Sequence, residues 1–208
     1  MTELLPDEQV TKRTYDTHAS LWGGTYAGKP GAWREEMHRY QELLPRGKIL
    51  EVGAGNARDA KELVALGYDY VGTDISPAVL DIARKELPGY PFYEQSVYDL
   101  DFGGEQFDGF WAAAVLLHIP KSRIDRALTR IREVVHINAI GFIAIKDGSG
   151  EGRQIDEADG EKLDRFYAYW PKDTFAERVT QNGFKVVNYN DRPINEKTKW
   201  HCFFVEAS

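Results

Sequence analysis

Two β-like runs close the chain, FKVVNYN at 184–190 and WHCFFVEA at 200–207, and only nine residues, Asp191 to Lys199, lie between them. A parallel neighbour needs a crossover of about a dozen residues or more, so these strands are expected to be antiparallel. Upstream, from Lys48 onward, short strand-like runs alternate with helix-like segments, the pattern of a parallel sheet with helices on both faces. KILEV (48–52), YDYVGT (68–73), FDGFWAAA (107–114) and IGFIAI (140–145) are nearly continuous apolar or aromatic runs, as in strands covered on both sides. PFYEQS (91–96) is weaker and is expected nearer an edge. The fold class is therefore α/β: a three-layer sandwich around a seven-stranded, mostly parallel sheet, with an antiparallel last strand formed by a C-terminal hairpin.

The helices have identifiable ends. Ala57, Ala60, Leu63 and Val64 share the face of a helix that stops at Gly67. Ser76 before Pro77 reads as a cap and first-turn pair. Ile124, Leu128, Ile131 and Val135 predict an amphipathic helix from about Lys121 to His136. Residues 1–47 hold no strand pattern and are expected to form a helical cap of two helices, about Asp7 to Ser20 and Trp33 to Leu44, joined by GGTYAGKPG. Residues 48–208 form the ligand-binding part of what is expected to be a single structural domain. The polar, glycine-rich segment 147–165 reads as a long mobile loop or lid.

Charge and composition exclude several classes. The net charge of −7, from 33 acidic and 26 basic side chains without a Lys/Arg block, disfavours nucleic acid as a partner. Cys202 is the only cysteine, so no internal disulfide forms, and the charged N-terminus with Pro6 lacks a signal-peptide core. Apolar runs are too short to span a bilayer, and a cytoplasmic location with no membrane partner is expected. The five histidines show no ligand spacing with cysteines or paired acids, so no metal is expected.

In open parallel sheets, ligands bind at the carboxyl ends of the strands. EVGAGNARD lies at such a point: Gly53 and Gly55 remove Cβ atoms where a ligand approaches the backbone, and the following helix offers free N–H groups. A tight turn that happens to use two glycines is the bland alternative. Asp74 stands 19 residues beyond Gly55 at the end of a strand, where its carboxylate can accept two ribose hydroxyls. A dinucleotide fingerprint requires a third glycine where this chain has Arg58. The pattern points to an adenosine ligand without a pyrophosphate.

These residues resemble the class I S-adenosylmethionine-dependent methyltransferases of the general small-molecule type, with their Rossmann-like fold. Glu51, Gly53 and Gly55 resemble the first motif of that family, and GTDISPAVLDIAR the second. FDGFWAAAVLLHIP is similar to the fourth strand and the start of the active-site wall, and YDTHASLW (15–22) to a segment that closes over the cofactor. The resemblance implies S-adenosyl-L-methionine as cofactor and S-adenosyl-L-homocysteine as product. It implies a cofactor site of Tyr15, Glu51, Gly53, Ala54, Gly55, Asp74, Ile75, Ser96, Val97 and Ala112. Where the family often has an acid after the third strand, this chain has Gln95 and Ser96, and the usual turn before the fifth strand is replaced by HINAIG (136–141).

Methyl transfer from a sulfonium rests mainly on proximity and orientation, with a base only if the nucleophile starts protonated. His118 is the candidate catalytic base; a histidine that orients the turn is the alternative. Tyr167, Tyr169 and Glu151 are candidates for binding the acceptor, as is Arg153, while Phe166, Trp170 and Trp200 are expected to pack. Tyr15 and His18 could reach the ligand, and Arg58 is expected to pair with an acid of its own helix. The reading is a monomeric or homodimeric methyltransferase acting on a small-molecule acceptor. A non-catalytic S-adenosylmethionine-binding sensor or partner subunit, and a nucleotide-dependent oxidoreductase, are the alternatives.

Overall fold

The computed structural model describes residues 2–22, 32–195 and 198–208. Three helices come first: α1 (Pro6–Thr17), α2 (Ala19–Trp22) and α3 (Arg34–Leu43). The expected GGTYAGKPG connection lies outside the described residues. Then follow β1 (Lys48–Val52), α4 (Arg58–Ala65), β2 (Asp69–Asp74), α5 (Pro77–Glu86), β3 (Phe92–Glu94), β4 (Phe107–Ala113), α6 (Ile124–Glu133) and β5 (Val135–Lys146). The chain continues through β6 (Glu151–Ala158), β7 (Glu161–Ala168), α7 (Lys172–Gln181), β8 (Phe184–Asn195) and β9 (Thr198–Ala207).

Seven strands form one sheet in the order β3-β2-β1-β4-β5-β9-β8. The first five are parallel; β9 runs antiparallel to both β5 and β8. Side chains alternate between two buried faces. Leu50, Val52, Phe110, Ile143, Ile145, Phe203 and Val205 pack with Leu128 and Ile131 of α6 and with Phe175 of α7. Ile49, Trp111, Phe142, Ala144 and Phe204 pack with Met37 and Tyr40 of α3, Leu63 of α4 and Leu80 of α5. The near-continuous apolar runs in the sequence are the consequence of this two-sided burial.

Four elements differ from expectation. Residues 147–165 do not form a loop: β6 and β7 pair as an antiparallel hairpin from Glu151↔Ala168 to Ala158↔Glu161. The outward face of β6 is almost wholly exposed, so its composition is polar and hides the strand. The amphipathic helix ends at Glu133 rather than His136, because Val135 already pairs with Phe107 of β4. HINAI is an irregular stretch of β5, with a register shift opposite Phe107 and Gly109 and Asn138 at φ 65°. The C-terminal strands are also longer than expected and leave only residues 196–197 between them.

Helix α1 is stitched to β7. Thr14 Oγ1 donates to the Asp164 carbonyl at 2.6 Å, and the Phe166 N–H donates to Thr11 Oγ1 at 2.8 Å. At the same helix, Asp16 accepts from Ser76 Oγ at 2.6 Å, and buried Glu8 accepts from Arg123 at 2.9 Å and from the Tyr98 hydroxyl. Helix and hairpin are thereby fastened across the carboxyl ends of the parallel strands.

Candidate active site

A cavity of about 420 Å³ opens at those strand ends. Its walls come from the residues that follow β1, β2, β3 and β4 and from Lys146, which ends β5; Tyr15 of α1 and Arg165 and Tyr167 of β7 close the other side.

Gly53 and Gly55 both adopt positive φ, 76° and 54°. A Cβ at Gly53 would lie 2.5 Å from Val115 Cγ2, so this glycine serves a close approach within the protein as well as lining the cavity. A Cβ at Gly55 would meet nothing within 4 Å, and Gly55 lines the cavity. The N–H of Gly55 donates to Asp74 Oδ2 at 2.9 Å, and Asp74 Oδ1 accepts from the Ser76 N–H at 2.9 Å. The carboxylate's remaining lone-pair capacity is open to a ligand hydroxyl. Burial pushes the Asp74 carboxyl upward, and the N–H bonds from Ser76, Gly55 and Ile75 oppose that shift.

Glu51 is buried, lines the cavity and accepts the Tyr70 hydroxyl. Its burial, with Asp59 nearby, raises its carboxyl well above the usual range. Arg58 forms the pair expected within its helix, Nε to Asp59 Oδ1 at 2.6 Å and Nη2 to Oδ2 at 3.0 Å. Asp59 also accepts the buried Trp111 indole N–H at 3.2 Å. Ala54, Ile75, Gln95, Ser96 and Val97 line the same end. The Gln95 side chain is tied back to the backbone of Asp101 through both its ends, and Ser96 and Val97 beside it face the cavity.

The opposite end of the cavity brings together residues far apart in sequence. His118 Nδ1 lies 2.7 Å from the Phe166 carbonyl, which can only accept, so Nδ1 carries the proton. Nε2 is then an acceptor, and the Tyr15 hydroxyl donates to it at 3.0 Å. Burial, with the positive charge of Arg165 next, pulls the His118 pKa down to about 3. Through its two hydrogen bonds His118 ties the Tyr15 ring to the start of the turn after β4. Arg165 Nη1 donates to the Tyr15 oxygen at 3.3 Å, while Nη2 pairs with Asp156 at 2.6 Å. Tyr167 lines the cavity and donates its hydroxyl to Asp156 at 2.7 Å.

Several expected residues lie elsewhere. Ala112 is fully buried in the core; Ala113 and Ala114 line the cavity instead, the chain turning sharply at Ala114 with φ 60°. Glu151 accepts the Lys121 N–H at 2.7 Å on the exposed edge of β6, and the Tyr169 hydroxyl donates to Gln154 at 2.8 Å, its ring stacked on Tyr167. Neither is part of the cavity wall. Arg153 pairs with Asp164 across the hairpin, and His18 lies 3.9 Å from Glu161. Phe166 and Trp170 are core residues, as expected, whereas Trp200 lines the cavity as well as packing edge-on to Trp33. Sequence reasoning missed Lys146, Asp156 and Arg165. A charge ending an otherwise apolar strand was the available signal for Lys146.

Residues 49–138 match a family profile described as a methyltransferase domain. That stretch carries the sequence pattern of a methyltransferase domain. An uncharacterized methyltransferase of Oceanobacillus iheyensis is 21% identical over 85% of this chain and 87% of its own length. Magnesium-protoporphyrin O-methyltransferase of Rhodobacter capsulatus is 29% identical over 53% of this chain, which spans about half of that protein, 50%. In fold, the chain is similar to Burkholderia thailandensis 1,6-didemethyltoxoflavin-N1-methyltransferase, solved with 1,6-didemethyltoxoflavin and S-adenosylhomocysteine. That likeness has a TM-score of 0.75 at 19% identity and covers 100% of this chain and 92% of the other. The open space at Gly55 and the lone pairs of Asp74 fit the nucleoside of the family's cofactor.

Proposed function

We propose that this methyltransferase binds S-adenosylmethionine through Gly53–Gly55, Asp74, Ile75, Ser96 and Val97 and methylates a small molecule seated between Tyr15, Lys146 and Tyr167. The observation that carries the reading is that one cavity joins the glycine and Asp74 cradle to the Tyr15, His118 and Tyr167 end. When bound, the cofactor supplies a methyl group activated by a sulfonium. Helix α1, fastened to β7, serves as a cap that excludes water from the reacting end.

The chain's own contribution is orientation. Asp74 accepts from the ribose, and the cradle backbone fixes the depth of the ligand. Tyr15 is held by His118 and Arg165, so its ring forms a fixed wall for the acceptor. His118, with Nδ1 on the Phe166 carbonyl and Nε2 toward the Tyr15 hydroxyl, orients that ring.

Incubation with methyl-labelled cofactor and a cell extract fractionated by size tests the acceptor class. Label is expected in the small-molecule fraction; label confined to protein or RNA contradicts the reading.

A further inference from the structure

The acceptor end of the cavity holds two cations, Lys146 and Arg165. Lys146 ends β5 directly opposite Trp200 of β9, so the two side chains are cross-strand neighbours. The ammonium lies 4.4 Å from the centroid of the Tyr167 ring and 5.8 Å from that of Trp200. Among the described residues it makes no ion pair and no hydrogen bond. Arg165 is 6% exposed, and its guanidinium carbon lies 5.3 Å from the same Tyr167 ring. Among the described residues, Asp156 faces these two cations, and it is already engaged by Arg165 at 2.6 Å and by the Tyr167 hydroxyl at 2.7 Å.

Two cations, Lys146 and Arg165, thus meet at the end of the cavity walled by Tyr15, Tyr167 and Trp200. This occurs in a protein whose net charge is −7. Burial, and then Arg165, hold the Lys146 ammonium below its usual pKa, so an anion arriving at this point gains a partly desolvated partner. The aromatic walls suit a flat apolar body.

We propose that the acceptor is an aromatic acid whose carboxylate docks on Lys146, with Arg165 beside it and the ring between the aromatic walls. The proposal rests on the methyltransferase reading above and deepens it.

Matched fluorescent probes test it, 2-naphthoate and its neutral counterpart 2-naphthamide, titrated into protein saturated with S-adenosylhomocysteine. The naphthoate is expected to bind at least tenfold more tightly than the amide. Lys146→Gln is expected to weaken naphthoate at least tenfold while naphthamide and S-adenosylhomocysteine bind as before, and Lys146→Arg to retain most of the naphthoate affinity. Equal affinity for the two probes in the wild type, binding of neither, or an undiminished preference in Lys146→Gln would overturn the proposal. The wild-type comparison needs no variant, so a folding defect in Lys146→Gln cannot shield it. Failure of S-adenosylhomocysteine itself to bind would instead break the methyltransferase reading.

Discussion

The two ends of the cavity are built from different material. The cofactor end is mostly backbone: two glycines at positive φ, a helix N-terminus, and an Asp74 carboxylate that fastens the loop after β1 to the start of α5. The acceptor end is side chain, with Tyr15, His118, Lys146, Arg165 and Tyr167 drawn from α1, the turn after β4, the end of β5, and β7. A backbone cradle can be altered only by changing local conformation, whereas a side-chain wall changes one residue at a time. The same cofactor can thus be kept while acceptors differ.

That contrast can be broken most forcefully at Asp74. Asp74→Ala removes two ribose acceptors and the anchor of the Gly55 N–H together, and is expected to weaken S-adenosylhomocysteine by at least about 100-fold, since bonds to a charged group are worth roughly 1.5–3 kcal/mol each. Asp74→Asn keeps one acceptor oxygen and should fall between. Gly55→Ala comes next. At φ 54° a Cβ carries a strain of about 1–2 kcal/mol, and because the space there is open the loss is expected in the cradle's geometry, with cofactor affinity reduced roughly tenfold. Gly53→Val is the poorer probe, because its side chain meets Val115 before any ligand, and thermal denaturation should show a destabilised fold.

At the acceptor end, the expected effects are smaller and depend on pH. His118 is neutral in the folded protein down to about pH 3, but protonates near 6.5 when unfolded. Unfolding therefore takes up a proton between those values, and stability falls as pH drops from about 6.5 toward 3. Compared with His118→Gln, the wild type is expected to lose about 1.4 kcal/mol more per pH unit in that window, read from urea denaturation at pH 7, 6 and 5. Parallel curves would mean that His118 titrates normally. Glu151→Ala is the smallest change: it gives up one exposed bond to the Lys121 N–H, so cofactor affinity should stay within twofold and stability within about 1 kcal/mol.

The same contrast explains what could be read from the sequence. The cofactor end is contiguous: EVGAGNARD and GTDIS each lie within a single strand-to-helix turn, and a 19-residue spacing links Gly55 to Asp74. The sheet was legible for a similar reason, since strands buried on both faces write continuous apolar runs. The acceptor end is not contiguous. Tyr15 meets His118 across 103 residues, and His118 meets Phe166 across 48, through a hairpin whose exposed strand reads as a loop. Ala112 was misassigned by one or two positions because strand alternation and the left-handed turn at Ala114, not composition, decide which alanine faces the cavity. His118 was placed correctly at the pocket mouth, but its partners, Arg165 and the Phe166 carbonyl, decide its chemistry.

Calorimetric titration of S-adenosylhomocysteine into the wild type and Asp74→Ala, with both shown to be folded, tests the central claim most directly. The account predicts saturable binding at one site in the wild type and a loss of at least about 100-fold in the variant. No heat in the wild type at millimolar ligand, or equal affinity in the two proteins, would contradict it.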